Sequence, residues 1–167
     1  VAPATMAFAA AVMARYLIRL GDGPSWIRAL LASAYGLSTW AVFNSYIPMW
    51  LWGLVSFPML CIAADWLLAG RAVTRRRLIG AALLFALAWY GNFYTGFIAT
   101  LGSMVVLVLR LVSTGRSPRE AWSALWRAAL AAGIGIALTA PLVYPAFKAS
   151  AAATPAACAA RTNSYNS

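Results

Sequence analysis

The sequence predicts an all-α protein, a polytopic bundle of about six transmembrane helices. Three observations favour this class. The 167 residues are 63% hydrophobic and only 10% charged, whereas soluble domains carry about 25% charged residues. The apolar residues form long runs separated by short polar segments. Eleven of the thirteen basic residues fall into three of those segments, and the segments that alternate with them are uncharged.

The distribution of arginine predicts an orientation as well. Cytoplasmic loops of membrane proteins are enriched in Lys and Arg. We therefore expect the basic segments to face the cytoplasm, and the uncharged segments at 44–48 and 90–95 to face outward. The basic segments contain Arg15, Arg19 and Arg28, then Arg71, Arg75, Arg76 and Arg77, and finally Arg110, Arg116, Arg119 and Arg127.

Turn and cap residues divide the chain into spans. Gly21-Asp22-Gly23-Pro24 ends the first span, and Ser25 suits the N-cap of the second. Pro58 is expected to kink the third. Pro141 and Pro145 end the sixth. The predicted transmembrane domain, residues 1–148, contains spans at about 1–20, 26–44, 48–70, 75–91, 93–112 and 121–141, and an Ala-rich tail covers 149–167.

The fourth span is short. From Leu78 to Gly91 there are fourteen residues, about 21 Å of helix against a hydrocarbon core of roughly 30 Å. Starting the helix among the preceding arginines recovers one turn. The remaining deficit places Asn92 and Tyr94 below the outer headgroups. Either these residues line a polar cavity, or they form a tight hairpin in a tilted bundle.

The net charge of +10 does not indicate nucleic-acid binding. The cations lie at the ends of apolar runs, where arginine reaches lipid headgroups, and not on one polar face. There is no His, and Cys61 and Cys158 are far apart. The sequence therefore predicts neither a metal site nor a disulfide, and it leaves cofactors unknown.

Carboxylates are rare, and none is expected on the outward side. Asp22 and Glu120 belong to predicted cytoplasmic loops. Asp65 lies inside the third span, which makes it a functional candidate because a carboxylate there is costly. Pairing with Arg71 or a neighbouring arginine would satisfy the carboxylate, and we favour this structural interpretation over the functional one.

The outward segments carry aromatic and amide side chains in place of acids and bases. Asn44, Tyr46, Asn92 and Tyr94 accompany several tryptophans there, as in an ordinary interfacial belt. Alternatively, the rings stack on a sugar while the amides and hydroxyls bind its hydroxyl groups. Lys148, beyond the sixth span, either binds a lipid-linked phosphate or meets lipid headgroups.

Several of these segments resemble, in order and spacing, the YfhO family of bacterial membrane proteins. The resemblance extends over about residues 25–148. It is carried by Asn44-Ser45-Tyr46-Ile47-Pro48-Met49-Trp50-Leu51, Gly91-Asn92-Phe93-Tyr94-Thr95-Gly96-Phe97, Ser117-Pro118-Arg119-Glu120-Ala121-Trp122 and Ala140-Pro141-Leu142.

The resemblance implies part of the GT-C fold of integral-membrane glycosyltransferases. Such enzymes transfer a sugar from a polyprenyl-phosphate carrier to a cell-envelope acceptor on the outer face of the bacterial cytoplasmic membrane. It makes Asn44, Tyr46, Asn92 and Tyr94 candidate sugar contacts and Lys148 a candidate phosphate contact. The general base of that fold, an acid in the first outward loop, has no counterpart here. We therefore expect the catalytic residue upstream of Val1, and expect this chain to be an internal fragment that is inactive alone.

Two other functions remain open. A lipid or solute transporter or flippase requires polar groups inside the spans, and those available form no evident track along the sequence. A non-catalytic membrane scaffold would tolerate alanine in the outward loops. The polar residues within spans are Thr39, Asp65, Thr100, Ser103 and Thr139.

Overall fold

A computed structural model describes residues 1–21, 23–68 and 73–165, with side chains described as far as position 149 except at 48, 143, 146 and 147. Every regular element in this part of the chain is an α-helix, which confirms the predicted all-α class. Asp22, Gly70 and Arg71 lie outside the described residues. The helices are α1 Ala2–Leu20, α2 Ser25–Gly36, α3 Thr39–Phe43, α4 Pro48–Leu68, α5 Arg75–Gly91, α6 Phe93–Ser113 and α7 Pro118–Tyr165.

Helix α4 lies at the centre of the bundle. It packs against α1, α5 and α6, while α2 packs on α1, and α7 on α5. Its sequence is apolar on all faces, as expected of a helix surrounded by others. Of its apolar span 72% is buried, against 33% for α6 and 28% for α7. The two outer helices thus expose wide apolar faces of the kind that lipid covers.

Three of the described helices are long and apolar enough to cross a membrane, namely Met49–Leu68, Phe93–Ser113 and Pro118–Leu142. They correspond to the third, fifth and sixth predicted spans. Helix α1 has 19 residues and α5 has 17. The other three predicted spans remain predictions.

The second predicted span, 26–44, is not one continuous helix. Helix α2 ends at Gly36, and α3 starts at Thr39. Between them Ser38 caps α3, because its hydroxyl oxygen accepts the N–H of Ala41 at 3.4 Å. An N-cap side chain competes with helix continuation. The prediction of an unbroken helix was wrong because this single serine lies inside an apolar run.

The helix that contains the sixth predicted span extends beyond the end of that span. Helix α7 continues through Pro141 and Pro145 to Tyr165, so the Ala-rich tail is helical up to that residue. Alanine has the highest helix propensity, and proline is tolerated within membrane helices. The apolar part of α7 does stop at Leu142, close to the predicted limit.

Small residues allow the helices to approach closely. A Cβ added at Gly96 would lie 2.8 Å from the Ala88 carbonyl oxygen, and one added at Gly135 would lie 2.6 Å from the Phe85 Cβ. A Cβ added at Gly133, in contrast, would meet nothing within 4 Å. The close contacts therefore join α5 to α6 and α5 to α7.

Candidate functional site

Asn92 closes a tight hairpin between α5 and α6 at the predicted outward end of the bundle. Its side chain is 7% exposed. The amide oxygen accepts the N–H of Tyr94 at 3.0 Å and so caps α6. The amide nitrogen donates to the carbonyl oxygen of Met49 at 3.0 Å. Both ends of the amide are thus engaged in holding the hairpin against the start of α4.

Trp52 of α4 fixes the same hairpin from the side. Its indole N–H donates to the carbonyl oxygen of Leu87 at 3.2 Å. The ring lies so close to Gly91 that a Cβ on that residue would overlap it. Glycine is therefore required at the end of α5, and the short fourth span ends in a hairpin packed on protein.

The other predicted sugar contacts lie in more open positions. The Asn44 amide nitrogen donates to the Trp40 carbonyl oxygen at 2.9 Å, where α3 ends. Tyr46 is 70% exposed and Tyr94 is 67% exposed. Among the described residues neither phenol has a hydrogen-bond partner, while their rings make edge contacts with Phe43 and Phe93. Two tyrosine side chains therefore project from the outward end.

An apolar groove begins beside these residues. It has a volume of about 340 Å³ and lies between α3, α4 and α6. Asn44 bonds to one of its lining residues, and Tyr94 precedes another. The sequence alone does not reveal this groove, because its lining comes from three helices that are distant in sequence. Its lining includes Trp40, Trp50, Leu54, Phe57, Thr95 and Gly102.

Lys148 is exposed on α7, six residues after the apolar span ends at Leu142. Within the described part of the chain it forms no hydrogen bond or ion pair with the other four predicted residues. Its role as a phosphate contact therefore remains a prediction.

Asp65 lies at the opposite end of the bundle and joins three helices. One carboxylate oxygen accepts from Arg19 Nε at 3.2 Å and the other from Arg110 Nη1 at 2.7 Å. The Arg19 guanidinium also lies 5.8 Å from the ring centre of Trp66. The predicted pairing with arginine is thus confirmed, with Arg19 and Arg110 as partners. The sequence indicated that these residues could meet, because each of them lies at the same predicted end of its span.

The described residues offer little for metal or thiol chemistry. Within the described ranges, no group of three or more His, Cys, Asp or Glu side chains is placed to hold a metal ion. Cys61 is a free thiol buried in the bundle. The outward end therefore consists of aromatic rings, hydroxyls, amides and an apolar groove.

Comparison with known proteins identifies the family. The sequence profile of the bacterial membrane protein YfhO matches residues 4–164. No curated protein and no solved structure matches the chain significantly. The match covers nearly the whole sequence and agrees with the all-helical bundle and its membrane-spanning helices. The chain therefore belongs to the YfhO family of bacterial membrane proteins.

Proposed function

We propose that the chain forms part of an enzyme that transfers a sugar from a polyprenyl-phosphate carrier to a cell-envelope acceptor. The reaction takes place on the outer face of the bacterial cytoplasmic membrane. The observation that carries the proposal is the groove of about 340 Å³ that adjoins the uncharged outward hairpins. A polyprenyl chain is long and apolar, and an apolar groove between membrane helices suits it.

The width of the groove depends on two glycines, which have no side chain. A Cβ on Gly53 would lie 2.9 Å from the Thr95 Cβ, and a Cβ on Gly102 would lie 2.9 Å from the Phe57 ring. Both glycines line the space between α4 and α6. Larger residues at either position would therefore fill the groove from within.

The exposed tyrosines are the best placed residues for the sugar. In this proposal Tyr46 and Tyr94 provide ring faces and hydroxyls, because both side chains are exposed. Asn44 and Asn92 shape the hairpins and present polar groups beside them. Lys148 meets the carrier phosphate by charge pairing. The described residues bind substrate in this proposal and do not supply the general base that deprotonates the acceptor.

Filling the groove tests the proposal. The protein is expressed from its complete reading frame in membrane vesicles, and transfer of labelled sugar from polyprenyl phosphate is measured. Gly102→Leu should lower transfer about tenfold or more per folded protein, because the lipid chain loses a large part of its apolar contact. The amount of folded protein is measured by size-exclusion chromatography, because a side chain at Gly102 also presses on the Phe57 ring. Gly133→Leu, on an exposed position with nothing within 4 Å, is the matched control and should leave transfer unchanged.

A further variant, Tyr94→Phe, separates substrate contact from folding. Tyr94→Phe keeps the exposed ring and removes only a hydroxyl without a described partner, so reduced transfer by folded Tyr94→Phe would place the hydroxyl on the substrate. Asn92→Ala is unsuitable for this purpose, because its amide holds the hairpin. Equal transfer by Gly102→Leu and Gly133→Leu would contradict the lipid-groove assignment.

A transporter has less support in the bundle. The hydroxyl groups of Thr100, Ser103 and Thr139 bond to carbonyl oxygens of their own helices. They therefore satisfy local backbone acceptors and do not define a polar track. Movement of lipid across vesicles without a covalent product would favour a flippase over the enzyme. A scaffold would be favoured if Tyr46→Ala and Tyr94→Ala had no effect in the cell.

A further inference from the structure

Three arginines and one aspartate surround a cavity at the predicted cytoplasmic end, away from the groove. Arg19 belongs to the last turn of α1 and Arg110 to the last turn of α6. Arg116 comes from the loop between α6 and α7. The cavity has a volume of about 270 Å³, many times the roughly 30 Å³ that one water molecule occupies. It is lined by Arg19, Asp65, Leu68, Arg110, Thr114 and Arg116.

The arginines keep most of their hydrogen-bond donors available. A guanidinium group has five N–H donors. Arg19 and Arg110 each direct one nitrogen at Asp65, at 3.2 and 2.7 Å, and the Arg110 side chain also hydrogen-bonds to the Tyr16 hydroxyl. Arg116 is half-buried and has no hydrogen bond or ion pair with the part of the chain that the structure describes. The Thr114 hydroxyl donates to the Arg110 carbonyl oxygen at 2.7 Å, which leaves its oxygen free to accept.

The charge around the cavity is unbalanced. Among the lining residues that the structure describes, three guanidinium groups face one carboxylate, which leaves an excess of two positive charges. Glu120 does not line the cavity, and its carboxylate accepts the Ser117 N–H at 3.4 Å at the start of α7. The side chains of Arg19, Arg110 and Asp65 are only 29%, 28% and 15% exposed. An excess of charge in a partly desolvated space is relieved by binding a counter-ion.

The geometry favours a phosphate group as that counter-ion. Arginine matches the oxygens of phosphate bidentately and is less strongly hydrated than lysine. Asp65 and Arg110 lie three residues inside the ends of the spans Met49–Leu68 and Phe93–Ser113. Three residues correspond to about 4.5 Å of helix, so the cavity lies near the level of lipid headgroups.

We propose that this cavity is a binding site for a phosphate group, either the headgroup of an anionic lipid or a soluble phosphate. The bound phosphate lies between Arg116 and the free edges of the Arg19 and Arg110 guanidinium groups. It thereby ties the loop before α7 to α1 and α6. The site does not depend on sugar transfer, which we place at the other end of the bundle.

The test uses the protein from its complete reading frame, purified in an uncharged maltoside detergent without phosphate. One probe is inorganic phosphate, with chloride at equal ionic strength as the reference. The other is phosphatidylglycerol, with diacylglycerol as the uncharged reference. The melting temperature is followed by tryptophan fluorescence, and its dependence on probe concentration gives the dissociation constant. Native mass spectrometry counts retained phosphatidylglycerol.

Arg116→Gln removes the guanidinium group and its charge without removing either ion-pair partner of Asp65. We expect it to weaken probe binding about tenfold or more, as for the loss of one charge-assisted hydrogen bond. Arg119→Gln is the matched control, because Arg119 is exposed three residues further on and does not line the cavity. It should bind like the unchanged protein. Arg116→Lys keeps the charge but loses the planar fork, so its affinity should be intermediate.

The outcomes separate the two sources of phosphate. Saturable stabilisation by inorganic phosphate supports a soluble ligand, and saturation by phosphatidylglycerol alone supports a lipid ligand. The proposal is overturned if neither probe saturates, or if Arg116→Gln and Arg119→Gln lose affinity equally. If Arg116→Gln aggregates in size-exclusion chromatography, Arg116→Lys is compared with Arg119→Gln instead. In that case, a probe affinity of Arg116→Lys equal to that of the unchanged protein overturns the proposal.

Discussion

Two glycines on α7 allow the same substitution to be tested in two environments. Gly133 and Gly135 are two residues apart, and we consider alanine at each. Nothing lies within 4 Å of a Cβ added at Gly133. A Cβ added at Gly135 would lie 2.6 Å from the Phe85 Cβ, and 2.8 Å from both the Ala82 carbonyl oxygen and the Ala86 amide nitrogen. Two of these three atoms are backbone, so α5 itself must move.

The expected changes in unfolding free energy have opposite signs. Alanine is favoured over glycine in a helix interior by about 0.8–1.0 kcal/mol, which is the full effect at Gly133. Overpacking typically costs about 1–3 kcal/mol, and at Gly135 the propensity gain offsets only part of it. Because the propensity term is common to both variants, it cancels in their difference. Gly135→Ala should therefore be about 1–3 kcal/mol less stable than Gly133→Ala.

Unfolding by dodecyl sulfate in mixed micelles measures this difference. The chain contains eight tryptophans, so fluorescence reports loss of packing while circular dichroism reports loss of helix. A difference below about 0.5 kcal/mol, within the usual error of additivity, would refute the close packing of α5 on α7. So would a Gly135→Ala variant more stable than Gly133→Ala.

Three further outcomes follow from the contacts. Asp65→Asn should lower the free energy of unfolding by about 1–3 kcal/mol in the same assay. The loss is smaller than for a fully buried ion pair, because both arginines are partly exposed. An unchanged free energy of unfolding would contradict the ion pairs. Asn92→Ala should lower the free energy of unfolding by about 2–3 kcal/mol, because α6 loses its cap and the Met49 carbonyl loses a donor. A loss below about 0.5 kcal/mol would contradict the hairpin contacts. In a variant lacking native cysteines, Asn44→Cys should react with a membrane-impermeant thiol reagent in intact cells, whereas Arg76→Cys should react only after permeabilisation. The reverse labelling would invert the predicted orientation.

Composition and periodicity predicted the fold class because they depend on averages over many residues. The basic segments also located the start of α5, which begins at Arg75, among the arginines where the fourth span was expected to start. Features that depend on single residues were missed. Ser38 breaks the second apolar run, and neither Pro141 nor Pro145 ends α7. At such positions the local preference competes with surrounding helix propensity, and the pattern alone does not decide which prevails.

The candidate sites, like the helices, were predicted from the sequence only in part. The sequence predicted that Asp65 pairs with arginine, but the partners are 46 and 45 residues away. Only the shared end of their spans brought these arginines into consideration. The apolar groove depends on Gly53 and Gly102 facing Thr95 and Phe57 across two helices. Nothing in a linear pattern specifies which faces of α4 and α6 oppose each other.

The ion pairs of Asp65 bear on how the chain enters the bilayer during translation. Arg19 is made 46 residues before Asp65, and Arg110 follows 45 residues after it. Inserting a lone aspartate costs about 2.5–3.5 kcal/mol at the centre of a membrane helix, and less at Asp65, which lies three residues from the end of its span. With Arg19 already delivered, the acid leaves the translocon with its first counter-charge in place. Arg110, in the helix that is made later, then forms the second ion pair with Asp65. The early segment that carries Arg19 thus assists the insertion of α4.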